Sequence, residues 1–455
     1  MTQSPIHDVI IVGGGVAGLA AAVHLMESGV DFIVLEREDY PGGRVRTIKY
    51  ENYYAEAGAM VVGGEEISLI NKLIRPERNT FLDLGVHGVN LYFGSGIVKL
   101  SRMDGEIKNI TDFLTLSRFY LKTLSRRNKA LPAAKPSLLH HYRKALREIR
   151  IQSEKITYPY DPTAEEGWDT DTFAEFIDRH HPDLKAFFEL QLKVTAGDLI
   201  NKISSFWGIV TVDWNIKANF FWLAGGSSGI PHSMSAALGN RLWLDSDVLS
   251  IESNGVTRVK YKKRGIVGDL FARSVILAIP PSEVLNITKL PSWKREAMEQ
   301  VRFGAYIPVH LCYRNRFWEG KIKGGYLNCA GTVFADLVDG TYGQLGSGGI
   351  LISFIAGPRA KEMLDMPDEQ ILEVVQQDIE KIFPGAVNEF VSGRVFRWPA
   401  AIPYFPPGYG EILKNIRKPL GRLFFCGDYT QGAGMFDAIY SGQATAEQVI
   451  PLLES

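Results

Sequence analysis

Cysteine is scarce in this chain: Cys312, Cys329 and Cys426 are the three in 455 residues, and they are widely scattered. That excludes a disulfide framework and the close spacing of zinc or dithiol motifs, and it fits a reducing cytosol. No metal is expected. An excess of one charge is also missing, since 50 basic and 51 acidic residues leave a formal net charge of −1. Nothing global therefore draws the chain to nucleic acid. Apolar runs stay below the ~18 residues a membrane span needs. The N-terminus, MTQSPIHDVIIVGGG, passes from a short polar tail straight into a strand, without the apolar stretch and cleavage site of a leader. A soluble, cytoplasmic protein is the expectation. Its 45% apolar composition over 455 residues suffices for a large core and two or three domains.

What is present begins with the β-branched run Val9 to Val12, followed by GGGVAG and then by small and apolar residues at helical spacing from Leu19 to Ser28. This reads as strand, tight turn, helix. Gly13 can make the bend, Gly15 lets the backbone approach a pyrophosphate, and Gly18 lets the helix pack closely. Val16 and Ala17, within the turn, are also expected to border the cofactor, and the free amides at the helix N-terminus would face the phosphates. A second strand, Phe32 to Leu35, ends at Glu36 and Arg37, which puts the Glu36 carboxylate where a ribose diol would meet it; the alternative is a solvated strand-end charge.

Next come Pro41-Gly42-Gly43-Arg44-Val45-Arg46 and Tyr54-Ala55-Glu56-Ala57-Gly58-Ala59-Met60. Here the sequence resembles the flavin-containing amine oxidase superfamily, which includes protoporphyrinogen oxidases and carotenoid desaturases. The resemblance implies FAD, with Arg44 near its phosphates and the small residues Gly58, Ala59 and Met60 near the isoalloxazine. A permanently charged planar guanidinium suits phosphate. It also places Val248 at the adenine, Asp428 after Gly427 at the ribityl chain or pyrophosphate, and the N-terminus of a helix that includes Met435 and Ala438 toward flavin N1 and O2. No second GxGxxG occurs, which argues against a site for NAD(P)H beside FAD.

The implied fold class is α/β: a Rossmann-like FAD-binding domain interleaved with an α+β substrate domain. The expected segments are 1–80, 216–290 and 401–455 for the FAD-binding domain, with 81–215 and 291–400 supplying the helical and sheet parts of the substrate domain. Helices are expected within Thr111 to Ile151, within Thr170 to Ala196 and from Pro367 to Phe383. Strands are expected over Arg241 to Ile251, Ser274 to Pro281, Tyr306 to Tyr313 and Gly349 to Ile355. Between Arg118 and Arg150, ten residues are Lys or Arg and only Glu148 is acidic. The readings are a peripheral membrane contact, a guide for an anionic substrate, or a solvated helix face.

Departures from the family pattern bear on chemistry. The lysine that holds a water at flavin N5 in many amine oxidases is replaced by Pro308, with His310 nearby. The cysteine that carries the flavin in monoamine oxidases is replaced by Gly408, so FAD is expected to be non-covalent. One wall of the aromatic cage is matched by Tyr409, and the other is Gly434. The run Arg397 to Tyr404 looks like that of protoporphyrinogen oxidases and desaturases. The leading expectation is thus hydride abstraction from a mainly apolar or cyclic small molecule. Its pocket candidates are Trp398, Tyr404, Phe405 and Tyr409, with Phe221 and Trp222 behind. The alternatives are an amine oxidase making imine and peroxide, a redox-neutral flavin isomerase, and a non-catalytic flavoprotein. Oligomeric state is left open.

Overall fold

The computed structural model describes residues 5–73, 80–83, 88–92, 96–101, 136–217 and 220–453. Two large sheets organise it. The first is built on strands Ile6–Val12, Phe32–Leu35 and Leu423–Phe425, which run parallel to the end of the long strand Ile266–Leu277 or to one another. Val9 to Val12 are buried without alternation, as a parallel strand covered on both faces requires. Ile266–Leu277 changes partner along its length: its first half pairs with Val256–Lys263, and Val275, Ile276 and Leu277 pair with Leu423, Phe424 and Phe425.

Helices Val16–Glu27 and Met435–Val449 pack on one face of this sheet through glycine. A Cβ on Gly18 would lie 2.0 Å from the Gly13 carbonyl oxygen, and one on Gly442 would lie 2.0 Å from that of Ala17. The expected strand from Arg241 to Ile251 is two strands, Leu242–Trp243 and Ser246–Asn254. The break is at Asp245, whose φ of 53° turns the chain between them; Asp is among the residues that tolerate this region. Alternation of apolar residues continues through the turn, so periodicity alone hides it.

The second sheet has eight strands, with Arg302–Tyr313 between Gly349–Ala356 on one side and both Phe390–Val395 and Trp398–Tyr404 on the other. Pro308 is tolerated in so central a strand because it falls where the partner changes: Val309 is opposite Val395, and Tyr306 is opposite Trp398. Helix Asp368–Ile382 buries Ile371, Val375 and Ile379 in the core behind this sheet. Helices Phe173–His180, Lys185–Leu192 and Ser205–Lys217 form a third layer. Thr172 and Glu175 make a reciprocal cap at the start of the first of them.

Of the basic stretch, residues 118–135 lie outside the described residues, as do Phe113 to Leu124 of the expected helix. Helix Pro136–Ser153 carries the remainder, with Ala145, Leu146 and Ile149 buried and Lys144, Arg147 and Arg150 exposed. Among the described residues no helix is long and apolar enough to cross a membrane.

Candidate active site

A single cavity of about 1540 Å³ runs from the end of the first sheet to the face of the second. At one end it is lined by the glycine turn. Gly13 (φ 105°) could not carry a side chain, because its Cβ would meet the Ala278 carbonyl oxygen at 2.5 Å. Gly15 has open space on its Cβ side, and its turn lies beside Gly42 and Gly43. The backbone is thus left bare where a phosphate must come close. Glu36 is buried at the same end; its carboxylate accepts from the Gly14 amide at 2.6 Å and the Glu38 amide at 2.9 Å. That arrangement rejects the solvated-charge alternative, and burial raises its pKa. Arg37 stays half-exposed and pairs with Glu38 and Glu283.

Arg44 reaches across the cavity. It donates to the Ala401 carbonyl at 2.6 Å and forms a two-pronged pair with Asp428, at 2.7 and 2.8 Å. Such a fork fixes both side chains. Gly58 is forced by crowding, since its Cβ would lie 1.9 Å from the Arg44 carbonyl oxygen. Met60, Ala59, Val248, Gly427, Met435 and Ala438 join the lining. Every expected cofactor residue therefore borders this one cavity except Gly18, which packs the helix as its spacing implies.

The helix beginning at Met435 points its free amides into the cavity, but a carboxylate already sits there. Asp437 accepts from the Gly434 amide at 2.9 Å and from the Tyr158 hydroxyl at 3.0 Å, and burial pushes its pKa up to about 6. Tyr158, Tyr160 and Phe436 line the cavity around it.

The far end lies between the second sheet and the helical layer. Asn328, Asp336, Phe354 and Pro308 stand opposite one another in a row across four strands, and Tyr306 is two residues from Pro308 on the same face. Trp398, opposite Tyr306, donates its indole N–H to the Ala57 carbonyl at 2.5 Å. The helical layer contributes Gln191, Thr195, Trp207, Thr211, Asp213 and Asn215.

Three pocket expectations are corrected. Tyr404, Phe405 and Tyr409 belong to the hydrophobic core. Phe405 and Tyr409 stack with ring centroids 4.4 Å apart, and the Tyr409 hydroxyl donates to the Tyr429 carbonyl. Tyr409 is therefore packing rather than a cage wall. Trp222 is buried against Tyr342, while Phe220, two residues earlier, borders the cavity. Trp398 alone of the four leading candidates lines it. His310 is buried and held by Tyr50 and the Glu56 carbonyl, with its pKa pushed down to about 4 by burial, so it is a neutral core residue. Sequence reasoning missed Tyr158, Gln191, Tyr306, Asn328 and Asp437, which carry no short motif. Only alternation along Arg302–Tyr313 could have marked Tyr306 as sharing a face with Pro308.

The comparisons agree with this geometry. Residues 16–450 match the family model of flavin containing amine oxidoreductases. The chain is 24% identical to amine oxidase [flavin-containing] B of Mus musculus, over 97% of this chain and 86% of that protein. In solved structures, a triple mutant of putrescine oxidase superposes with a TM-score of 0.79 at 20% identity, covering 98% of this chain and 99% of that one. Cyclohexylamine oxidase from Brevibacterium oxydans IH-35A gives 0.76 at 20% identity, covering 99% and 100%. The bare glycine turn, the buried acid and the Arg44–Asp428 fork all fit a dinucleotide, and FAD is the cofactor of this fold. The chain belongs to the flavin containing amine oxidoreductase family and is an FAD-dependent oxidoreductase.

Proposed function

We propose that the protein oxidises an amine at the carbon bonded to nitrogen, in place of the apolar-substrate reading that the sequence puts first. The observation that carries this is the cavity lining around Tyr160. Glu66, Asp213 and Asp437 contribute carboxylates there, and the only cations among the cavity's described residues, Arg37 and Arg44, lie at the glycine-turn end. Carboxylates in an otherwise largely apolar chamber attract an ammonium ion. The names of the relatives point the same way, toward amines.

When bound, FAD would supply the acceptor for the hydride leaving carbon, and its return to the oxidised form with molecular oxygen as acceptor would give hydrogen peroxide. The protein's part is to position the amine and exclude water. As the C–H bond breaks, the nitrogen lone pair forms the C=N bond of the imine, so the amine must first lose its ammonium proton to solvent. Carboxylates lining the chamber gather the cation, and Trp398 and Phe354 supply flat walls against which it is held. Pro308 provides no ammonium group, so whatever a lysine does near flavin N5 in related enzymes is not done here by that side chain.

The test is anaerobic mixing of the holoenzyme with panels of amines and of apolar polyenes, followed by absorbance near about 450 nm, where flavins absorb. Bleaching by amines, with peroxide released in air, is expected. Bleaching by the apolar panel alone would return the desaturase reading to first place.

A further inference from the structure

Buried polar groups in folded proteins almost always have partners. Gln191 is 8% exposed, and neither its amide nitrogen nor its carbonyl oxygen has a hydrogen-bond partner among the described residues. The Tyr306 hydroxyl is in the same condition. Both side chains line the cavity. They come from opposite layers. Gln191 is on helix Lys185–Leu192, which packs on strand Tyr326–Cys329, and Tyr306 is on the second sheet beside the Asn328–Asp336–Phe354–Pro308 row.

We propose that Gln191 and Tyr306 form a subsite for an uncharged hydrogen-bonding group, a hydroxyl or carbonyl, carried by the amine away from the carbon that is oxidised. This rests on the amine reading above and adds a substrate class to it.

The chemistry of the pair selects the class. A glutamine amide offers two donors and one acceptor site, and a phenol offers one donor and an acceptor. Together they satisfy a group that both donates and accepts. An anionic group meets Asp336 close by, a carboxylate held by the Tyr326 hydroxyl and by the Asn328 amide at 2.7 Å. A second ammonium would have to share that carboxylate with the Tyr326 hydroxyl and the Asn328 amide, each of which already donates to one of its oxygens. Bonded to the Gln191 carbonyl oxygen, it would still leave the amide N–H donors without an acceptor, which a hydroxyl or carbonyl supplies. An alkyl end leaves both side chains unpartnered. Sites built to bond a polar group reject the analogue that lacks it far more strongly than an apolar pocket rejects an added hydroxyl.

The experiment uses holoenzyme and three primary amines of equal chain length, ending in a hydroxyl, a methyl and a second amine. Wild type is expected to favour the hydroxyl-ended amine over the methyl-ended one by about tenfold or more in kcat/KM. In Gln191→Leu and Tyr306→Phe that ratio should collapse toward one, mainly through KM. A wild-type ratio near one, a ratio unchanged in both variants, or a preference for the diamine would each overturn the proposal. The wild-type ratio decides even if a variant fails to fold. Should no amine reduce the flavin, the amine reading fails separately. The subsite is then read by titrating the flavin spectrum with a simple alcohol and its alkane-ended analogue: tighter binding of the alcohol, lost in Gln191→Leu, supports it, and equal binding sinks it.

Discussion

Glu56 shows how one residue's setting becomes a property of the protein. Its carboxyl is buried and accepts from the Ser227 amide at 2.7 Å and the Thr47 hydroxyl at 2.9 Å, tying Tyr54–Glu56 to the turn at Gly225-Gly226. Burial outweighs these bonds and pushes its pKa up to about 7. Between the unfolded value near ~4.3 and this folded value, the native state keeps a proton that the unfolded chain has lost. Stability from this group is therefore full at low pH and falls as pH rises through that window. Glu56→Gln keeps an acceptor for Ser227 and cannot ionise. Chemical unfolding at pH 5 and pH 8 should show the variant losing less stability than wild type on going to pH 8, and an identical loss in both would show that Glu56 titrates normally. In the sequence Glu56 could be read only as part of a small-residue motif, because its partners lie nine and 171 positions away. The same distance hid Gln191 and Tyr306. The glycine turn and Glu36, by contrast, were legible because each glycine answers to a local steric demand.

At the scale of elements, the contact between helices Val16–Glu27 and Met435–Val449 sets how the first and last parts of the chain meet. Gly442 is buried, and a Cβ there would lie 2.0 Å from the Ala17 carbonyl oxygen and 2.9 Å from its carbon, both backbone atoms that cannot swing aside. Gly442→Ala must push the helices apart, although alanine is the better helix former by ~1 kcal/mol. Overpacking typically costs about 1–3 kcal/mol, which outweighs that gain. The expected result is a lower unfolding midpoint together with weaker FAD retention on gel filtration, since Ala17 and Ala438 on these helices both border the cavity. A variant as stable as wild type would mean that the helices can slide without cost. Elements of this kind were legible where periodicity is strong, as in Asp368–Ile382 and Gly349–Ala356. Legibility failed at Arg241 to Ile251, because one residue at positive φ splits a strand without disturbing its alternation. It failed again at Tyr404, Phe405 and Tyr409, where aromatic character does not distinguish a core side chain from a pocket wall.

Over the whole molecule, the cavity is bordered by residues from Val12 to Ala438, and the Arg44–Asp428 fork alone joins positions 384 apart. No contiguous stretch of chain contains the site, so binding the cofactor draws on segments far apart in the chain. Mass action then makes FAD a stabiliser of the entire fold, worth about 2.7 kcal/mol at a hundredfold excess over Kd. With about 2.1 cal/mol/K of unfolding entropy per residue, a 455-residue chain has roughly 1 kcal/mol/K, so Tm should rise by about 3 °C. Of the eight tryptophans, Trp207 and Trp214 lie in the helical layer and Trp398 in the second sheet, so their emission watches a part of the molecule that flavin release from the first sheet does not. If interleaving makes the fold cooperative, tryptophan emission and flavin release should change at one temperature and shift together with added FAD. Two separate transitions, with FAD moving only the one that frees the flavin, would show that the second sheet and its helices fold on their own and meet the cofactor only as a wall. In that case substitutions such as Gln191→Leu should leave the FAD-linked transition where it was.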